Sequence, residues 1–294
     1  SHLPVACVPN AGLPNTDGQY DQTAEDFRAA FGRFASEGFV NVVGGCCGTR
    51  PEHIRALAAL AREFGPRTPR PTAQRAALAG AEPLLLNDIT RPALVGERTN
   101  VIGSRRFRQL IAEGKFDAAA EIGKEQVAKG AHVVDLCTAD PDRDEQEDLI
   151  AVLQPLLRKV RAPIMIDSTD PAVIEAALKR IGGKPVINSV NLEDGEKRFE
   201  QICPLARRFG AALVVGLIDE DREAGMAVTV ERKVEIAGRC YELLTGKYGI
   251  APGEILFDPL VFPAGTGDPN YRGAAAATIR GVAEIKKLWS DTFT

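Results

Sequence analysis

From Leu94 onward, short runs of Val, Ile and Leu alternate with longer segments in which apolar residues recur at helical spacing. Strands are predicted at 94–100, 131–136, 163–168, 185–191, 211–218 and 254–261, and helices at 107–130, 144–161, 170–182, 195–209, 229–248 and 271–288. The strands are nearly continuous in branched apolar residues, the pattern of a parallel sheet covered on both faces. Val173, Ile174, Ala177 and Leu178 line one side of their helix, as an outer helix packed on strands requires. A closed (β/α)8 barrel needs eight such units and about 250 residues. The expected fold class is therefore α/β of TIM-barrel type, truncated after about six βα units, with a seventh strand due to begin near Thr294. A doubly wound open sheet is the alternative, weakened by the lack of Gly-x-Gly-x-x-Gly after the first strand.

The first part of the chain repeats the alternation on a smaller scale. Residues 3–9 and 39–45 read as strands, 22–37 and 51–64 as helices. Thr23-Ala24-Glu25-Asp26 carries an N-terminal cap with acids in the opening turn, and Pro51 suits a first helical position. Two βα units cannot close a core. The stiff run Gly65-Pro66-Arg67-Thr68-Pro69-Arg70-Pro71 follows, and 65–91 reads as an interdomain linker that packs on something.

Composition narrows the classes. The 294 residues are 45% hydrophobic and 26% charged, normal for a globular protein, and the net charge of −4 gives no electrostatic case for nucleic acid or an anionic membrane. No run approaches the ~18–20 apolar residues of a membrane span, and Ser1-His2-Leu3-Pro4 does not open a signal peptide. Lacking an initiator Met, the chain is expected to start within a longer protein or after a tag. The six cysteines (Cys7, Cys46, Cys47, Cys137, Cys203 and Cys240) form no disulfide framework, so a reducing cytoplasm is expected. His2, His53 and His132 form no spaced metal motif, and His53 is expected at a surface or capping position.

Two features carry candidate chemistry. The strand ending Val42-Val43-Gly44-Gly45-Cys46-Cys47-Gly48 brings two thiols to a glycine-opened turn, where both can reach one soft metal ion. Catalytic zinc wants three protein ligands and an open position, and two buried structural cysteines are an equal reading of the spacing. The second feature is the set of strand ends. Glu97 and Asn100, Asp135, Asp167, Asn188, Asp219 and Asp258 close the six strands of the later segment. Polar groups at that rim are where a barrel builds its site. Asp219 alone, before a loop of Glu and Asp, reads as a solvated cap. The rim is rich in acceptors and amides and lacks a phosphate cradle, which suits a flat heterocycle with several N–H donors.

Gly44-Gly45-Cys46-Cys47-Gly48-Thr49, preceded by Pro9-Asn10-Ala11-Gly12-Leu13-Pro14, resembles the end of a homocysteine methyltransferase barrel. Gly96-Glu97-Arg98-Thr99-Asn100, Ile166-Asp167-Ser168, Ile187-Asn188-Ser189 and Phe257-Asp258-Pro259 resemble pterin-contacting strand ends, and the order of the two parts is that of cobalamin-dependent methionine synthases. The resemblance implies three divisions: 1–64, the last two βα units of a zinc- and homocysteine-binding barrel; 65–91, the linker; and 92–294, an incomplete pterin (folate) barrel. It implies zinc on Cys46 and Cys47, and pterin contacts from Glu97, Asn100, Asp135, Asp167, Asn188 and Asp258. It assigns no catalytic residue. The implied reaction is methyl transfer from 5-methyltetrahydrofolate to cobalamin, held by a domain outside this chain, and then to homocysteine, with this chain inactive alone. Two departures stand out. The family's Gly-x-Asn-Cys segment, source of a third cysteine, is absent, and Asp135-Leu136-Cys137 replaces the commoner Asp-x-Asn. Alternatives are dihydropteroate synthase, a corrinoid protein methyltransferase, or a non-catalytic folate-binding fragment.

Overall fold

A computed structural model describes residues 3–68, 77–221, 223, 225–262, 265 and 271–294. His2 and residues 69–76 of the expected linker lie outside them. The chain divides into two compact units, residues 1–74 and 75–294.

In the first unit, β1 (Ala6–Cys7) and β2 (Val42–Val43) pair in parallel, with α1 (Ala24–Ser36) and α2 (Pro51–Ala61) following them. The Thr23 hydroxyl accepts from Asp26 N–H and the Asp26 carboxylate accepts from Thr23 N–H, the reciprocal cap that fixes the start of α1. Phe27 and Phe31 from α1 meet Leu57 and Leu60 from α2 around buried Ala11, with Cys7 packed alongside. His53 is not at the surface. It is buried, its Nδ1 accepts from Arg50 N–H, its Nε2 pairs with the Gln22 carbonyl, and its ring stands edge-on to Phe27. The capping role holds; the position is internal.

The second unit is a curled parallel sheet of six strands, a half-barrel: β5 (Val95–Gly96), β6 (Val133–Leu136), β7 (Ile164–Asp167), β8 (Val186–Val190), β9 (Ala212–Gly216) and β10 (Ile255–Asp258). Each strand neighbours the next in sequence, without the reversal of order that a doubly wound sheet requires, so that alternative is excluded. Phe293 makes a parallel bridge to Leu256, the position of a seventh strand. The outer layer is α3 (Arg105–Ala112), α4 (Phe116–Ala128), α5 (Glu145–Lys159), α6 (Pro171–Leu178), α7 (Lys197–Phe209), α8 (Val230–Glu242) and α9 (Ala274–Leu288). The single helix expected over 107–130 is two, broken at Gly114, whose φ of +68° a helix interior does not admit.

Residues 65–91 are not simply a linker. β3 (Ala77–Ala79) and β4 (Pro83–Leu85) form a small antiparallel pair, and Ala79 exchanges backbone hydrogen bonds with Lys184 just before β8. Leu78 is buried among Val133, Met165, Val186 and Ala212, the first inward residues of four successive strands. The pair plugs the lower end of the half-barrel. Strand alternation then dictates the upper end. Val134, Leu136, Ile164, Ile166, Ile187, Leu213 and Val215 pack in the helix-side core. Asp135, Asp167, Asn188 and Asp258 sit two residues beyond inward-facing apolar positions and share that inner face.

Candidate functional site

Four of the expected rim residues touch. Asn100 Oδ1 accepts from the N–H groups of Ile102 and Gly103, a local turn that fixes the amide orientation. Its Nδ2 therefore points at two carboxylates, 3.3 Å from Asp135 Oδ2 and 3.0 Å from Asp167 Oδ2. Asn188, the register partner of Asp167, lies close enough for its amide to pull the Asp135 carboxyl downward. The strand beneath is braced: the Thr99 hydroxyl donates to the Asp135 carbonyl, and Gln126 donates to that hydroxyl and accepts from Arg98 N–H.

The site carries uncompensated negative charge. Among the described residues neither Asp135 nor Asp167 has a Lys, Arg or His within ion-pair distance. Burial, then the charge of Asp167, pushes the Asp135 carboxyl up to about 7; the Asn100 amide pulls the other way and Glu97 adds to the rise. Asp167 is also raised, first by burial, with the Glu145 and Glu97 charges adding to it against the Asn100 amide. Asp135 Oδ1 is buried and accepts no hydrogen bond. A buried acceptor without a donor costs about 1–3 kcal/mol.

Glu97 and Asp258 stand apart from this contact set. Glu97 is exposed and acts on the pair through its charge. Asp258 is exposed, and its Oδ1 accepts from Leu260 N–H at 2.9 Å. Asp219 is a correction. It is buried rather than solvated, held by Arg232 at 2.6 Å and Arg239 at 2.8 Å, and it ties α8 to the end of β9. Sequence reasoning missed two groups. Cys137, given no role, is buried with its thiol pushed up to about 12, chiefly by burial, with the Asp167 charge adding to the rise. Glu145, in the first turn of α5, has a buried Oε1 without a hydrogen-bond partner and lies near enough to act on Asp167. Its acid-rich surroundings read as an ordinary helix start, so no signal in the sequence set it apart.

In the first unit Cys46 and Cys47 are exposed, with Sγ atoms 3.9 Å apart. Cys47 N–H donates to Asn10 Oδ1, Cys46 N–H to the Pro9 carbonyl, and Ala11 N–H to the Cys47 carbonyl. The Tyr20 hydroxyl is raised by desolvation and by its hydrogen bond to Cys47. The described residues contain no group of three His, Cys, Asp or Glu placed to hold a metal ion. Two thiols fall one donor short of a zinc site.

A parallel half-barrel with its polar groups gathered at the C-terminal strand ends defines the class: an α/β protein of the barrel type, in which such strand ends are where sites are built. Residues 96–289, well over half of the chain, match the pterin binding enzymes, and the chain belongs to that family. Residues 1–61 match the homocysteine S-methyltransferases. Similar solved structures include dihydropteroate synthase from Thermus thermophilus, 26% identical with a TM-score of 0.48, covering 72% of this chain and 74% of that one. Another is the Xanthomonas albilineans dihydropteroate synthase with 4-aminobenzoic acid, 20% identical with a TM-score of 0.49, covering 73% and 74%. The Stenotrophomonas maltophilia enzyme is 21% identical with a TM-score of 0.46, covering 69% and 71%. Among the described residues no helix is long and apolar enough to cross a membrane.

Proposed function

We propose that the rim binds the ring of a reduced pterin and that the chain serves methyl transfer from 5-methyltetrahydrofolate toward homocysteine, as a methionine synthase does. The observation that carries the pterin reading is the unpaired Asp135 Oδ1 beside Asp167, with Asn100 held in one orientation between them. A reduced pterin offers an exocyclic amine and ring N–H groups. Asp135 and Asp167 accept from these, and Asn188 both donates and accepts. Asn100, Glu97 and Asp258 complete the pocket wall in this reading.

The folate nitrogen N5 leaves readily only when protonated, so the pocket's task is to bind the ring and favour its protonated, leaving form. An uncompensated pair of carboxylates, one titrating near 7, supplies the negative potential that such a cation needs. The methyl-transfer branch is supported by the likeness of residues 1–61 to homocysteine S-methyltransferases, which contains Cys46 and Cys47. In this reading 1–64 is the end of that barrel and 92–294 the pterin barrel. Zinc would keep a homocysteine sulfur as thiolate, but the described donors do not complete its site, and no step here runs through it. The cobalamin acceptor would lie on a domain outside this chain. A cytoplasmic setting agrees with six free cysteines.

Dihydropteroate synthesis is the second reading, favoured by the solved relatives, which bear that name. Isothermal titration separates the two. The methyl-transfer reading expects heat with 5-methyltetrahydrofolate and none with 4-aminobenzoate added to a pterin-saturated sample. Binding of 4-aminobenzoate only when pterin is present would replace it with the second.

A further inference from the structure

We propose that Arg198 is a positioning residue of the rim, holding the ends of β7 and β8 so that Asp167 and Asn188 meet one ligand ring. This rests on the pterin reading of the site. Arg198 lies in the first turn of α7, where a cation is opposed by the helix dipole. It is half-buried, and burial lowers its guanidinium from the ordinary range, against the nearby charge of Asp170. No carboxylate stands within ion-pair distance of it among the described residues. It spends its donors on main chain instead: Nη2 donates to the Ser168 carbonyl at 2.8 Å, Nη1 to Thr169 at 2.6 Å and Nε to Ser189 at 3.1 Å.

Two of those carbonyls belong to the residues directly after Asp167 and Asn188. Ser168 succeeds Asp167, and Ser189 succeeds Asn188. The ladder there is weak. Ser168 N–H reaches the Asn188 carbonyl at 3.3 Å, and the pairing of β8 with β9 shifts register between Ile187 and Val190, leaving the Ser189 segment outside the regular rungs. Arg198 closes the gap from the helix layer. Its planar fork spans carbonyls of two strands at once, which the single tetrahedral ammonium of lysine does not reproduce. Asn100 bonds the Asp167 carboxylate itself, whereas Arg198 fixes the backbone that carries it.

The test is a double-mutant cycle on the full chain with tetrahydrofolate as probe. Arg198→Lys and Arg198→Ala should melt within about 5 °C of wild type yet bind about tenfold more weakly. In the Asp167→Ala background, Arg198→Lys should cost clearly less than the about tenfold it costs wild type, because the part of its effect carried by β7 passes through the residue already removed. Additive losses would overturn the role, and so would wild-type affinity in Arg198→Lys. Collapse of both variants would make Arg198 a structural residue and overturn it as well. If wild type itself binds no reduced pterin, the reading of the site falls and this role with it. Wild-type binding with an unaffected Arg198→Lys sinks the role alone.

Discussion

The Asp135 carboxyl holds its proton to about 7 in the folded chain, against an ordinary value of 3.8, so the native state binds more protons than the unfolded state between those limits. The contribution of Asp135 to the stability of the ligand-free protein should therefore fall as pH rises from about 4 to about 7. Asp135→Asn should flatten that slope, read as the urea midpoint across pH 4–8; an unchanged slope would remove Asp135 as its source. Two other acids separate binding from folding. Asp167→Ala should weaken tetrahydrofolate binding by about 1–3 kcal/mol, because ligand donors lose their acceptor. Asp219→Ala should leave affinity nearly intact but cost about 1–3 kcal/mol of stability, because Arg232 and Arg239 lose their shared partner. Calorimetry and denaturant melts on both variants check the split. Asp135, Asp167 and Asn188 were legible because each follows a branched apolar run at a strand end. Asp219 looked solvated because its partners lie 13 and 20 residues downstream on a helix, beyond what local pattern can show. Cys137 was passed over because a buried thiol usually packs as a small hydrophobe.

At the scale of elements, most periodic helices were read correctly, the 107–130 segment excepted, whereas the short β3 and β4 were not. The spacing of Val173, Ile174, Ala177 and Leu178 marked the buried side of α6, and all four residues are buried. By contrast β3 and β4 have three residues each, too few for alternation to register. Their role follows from Leu78, which fills the lower end of the half-barrel opposite the polar rim. Leu78→Ala should cost about 2–5 kcal/mol in a urea melt, the range for a buried leucine whose surroundings collapse only in part. A loss under about 0.5 kcal/mol would mean the pair lies on the surface as a strap. Gly80 belongs to the same device: a Cβ there would stand 2.1 Å from the Arg161 carbonyl. Glycine lets the turn pass that close.

At the scale of the molecule, strand order reports the architecture. Six parallel strands run in sequence order, with Leu78 filling the lower end and polar residues at the upper ends. A cleft of about 240 Å³, lined by Lys184, Arg207 and Glu254, opens where β8, β9 and β10 begin, and it offers a contrasting location. The sequence made the half-barrel visible through the strand-helix alternation. The pairing of donors with acceptors across strands was not visible, because it depends on register. The most direct measurement is a crystal structure of the chain with bound 5-methyltetrahydrofolate. The account predicts the pterin ring between β5 and β8, with a ring or amine N–H within hydrogen-bond distance of Asp135 Oδ1. A ring seated in the lower cleft, or one leaving Asp135 Oδ1 without a donor, would contradict it.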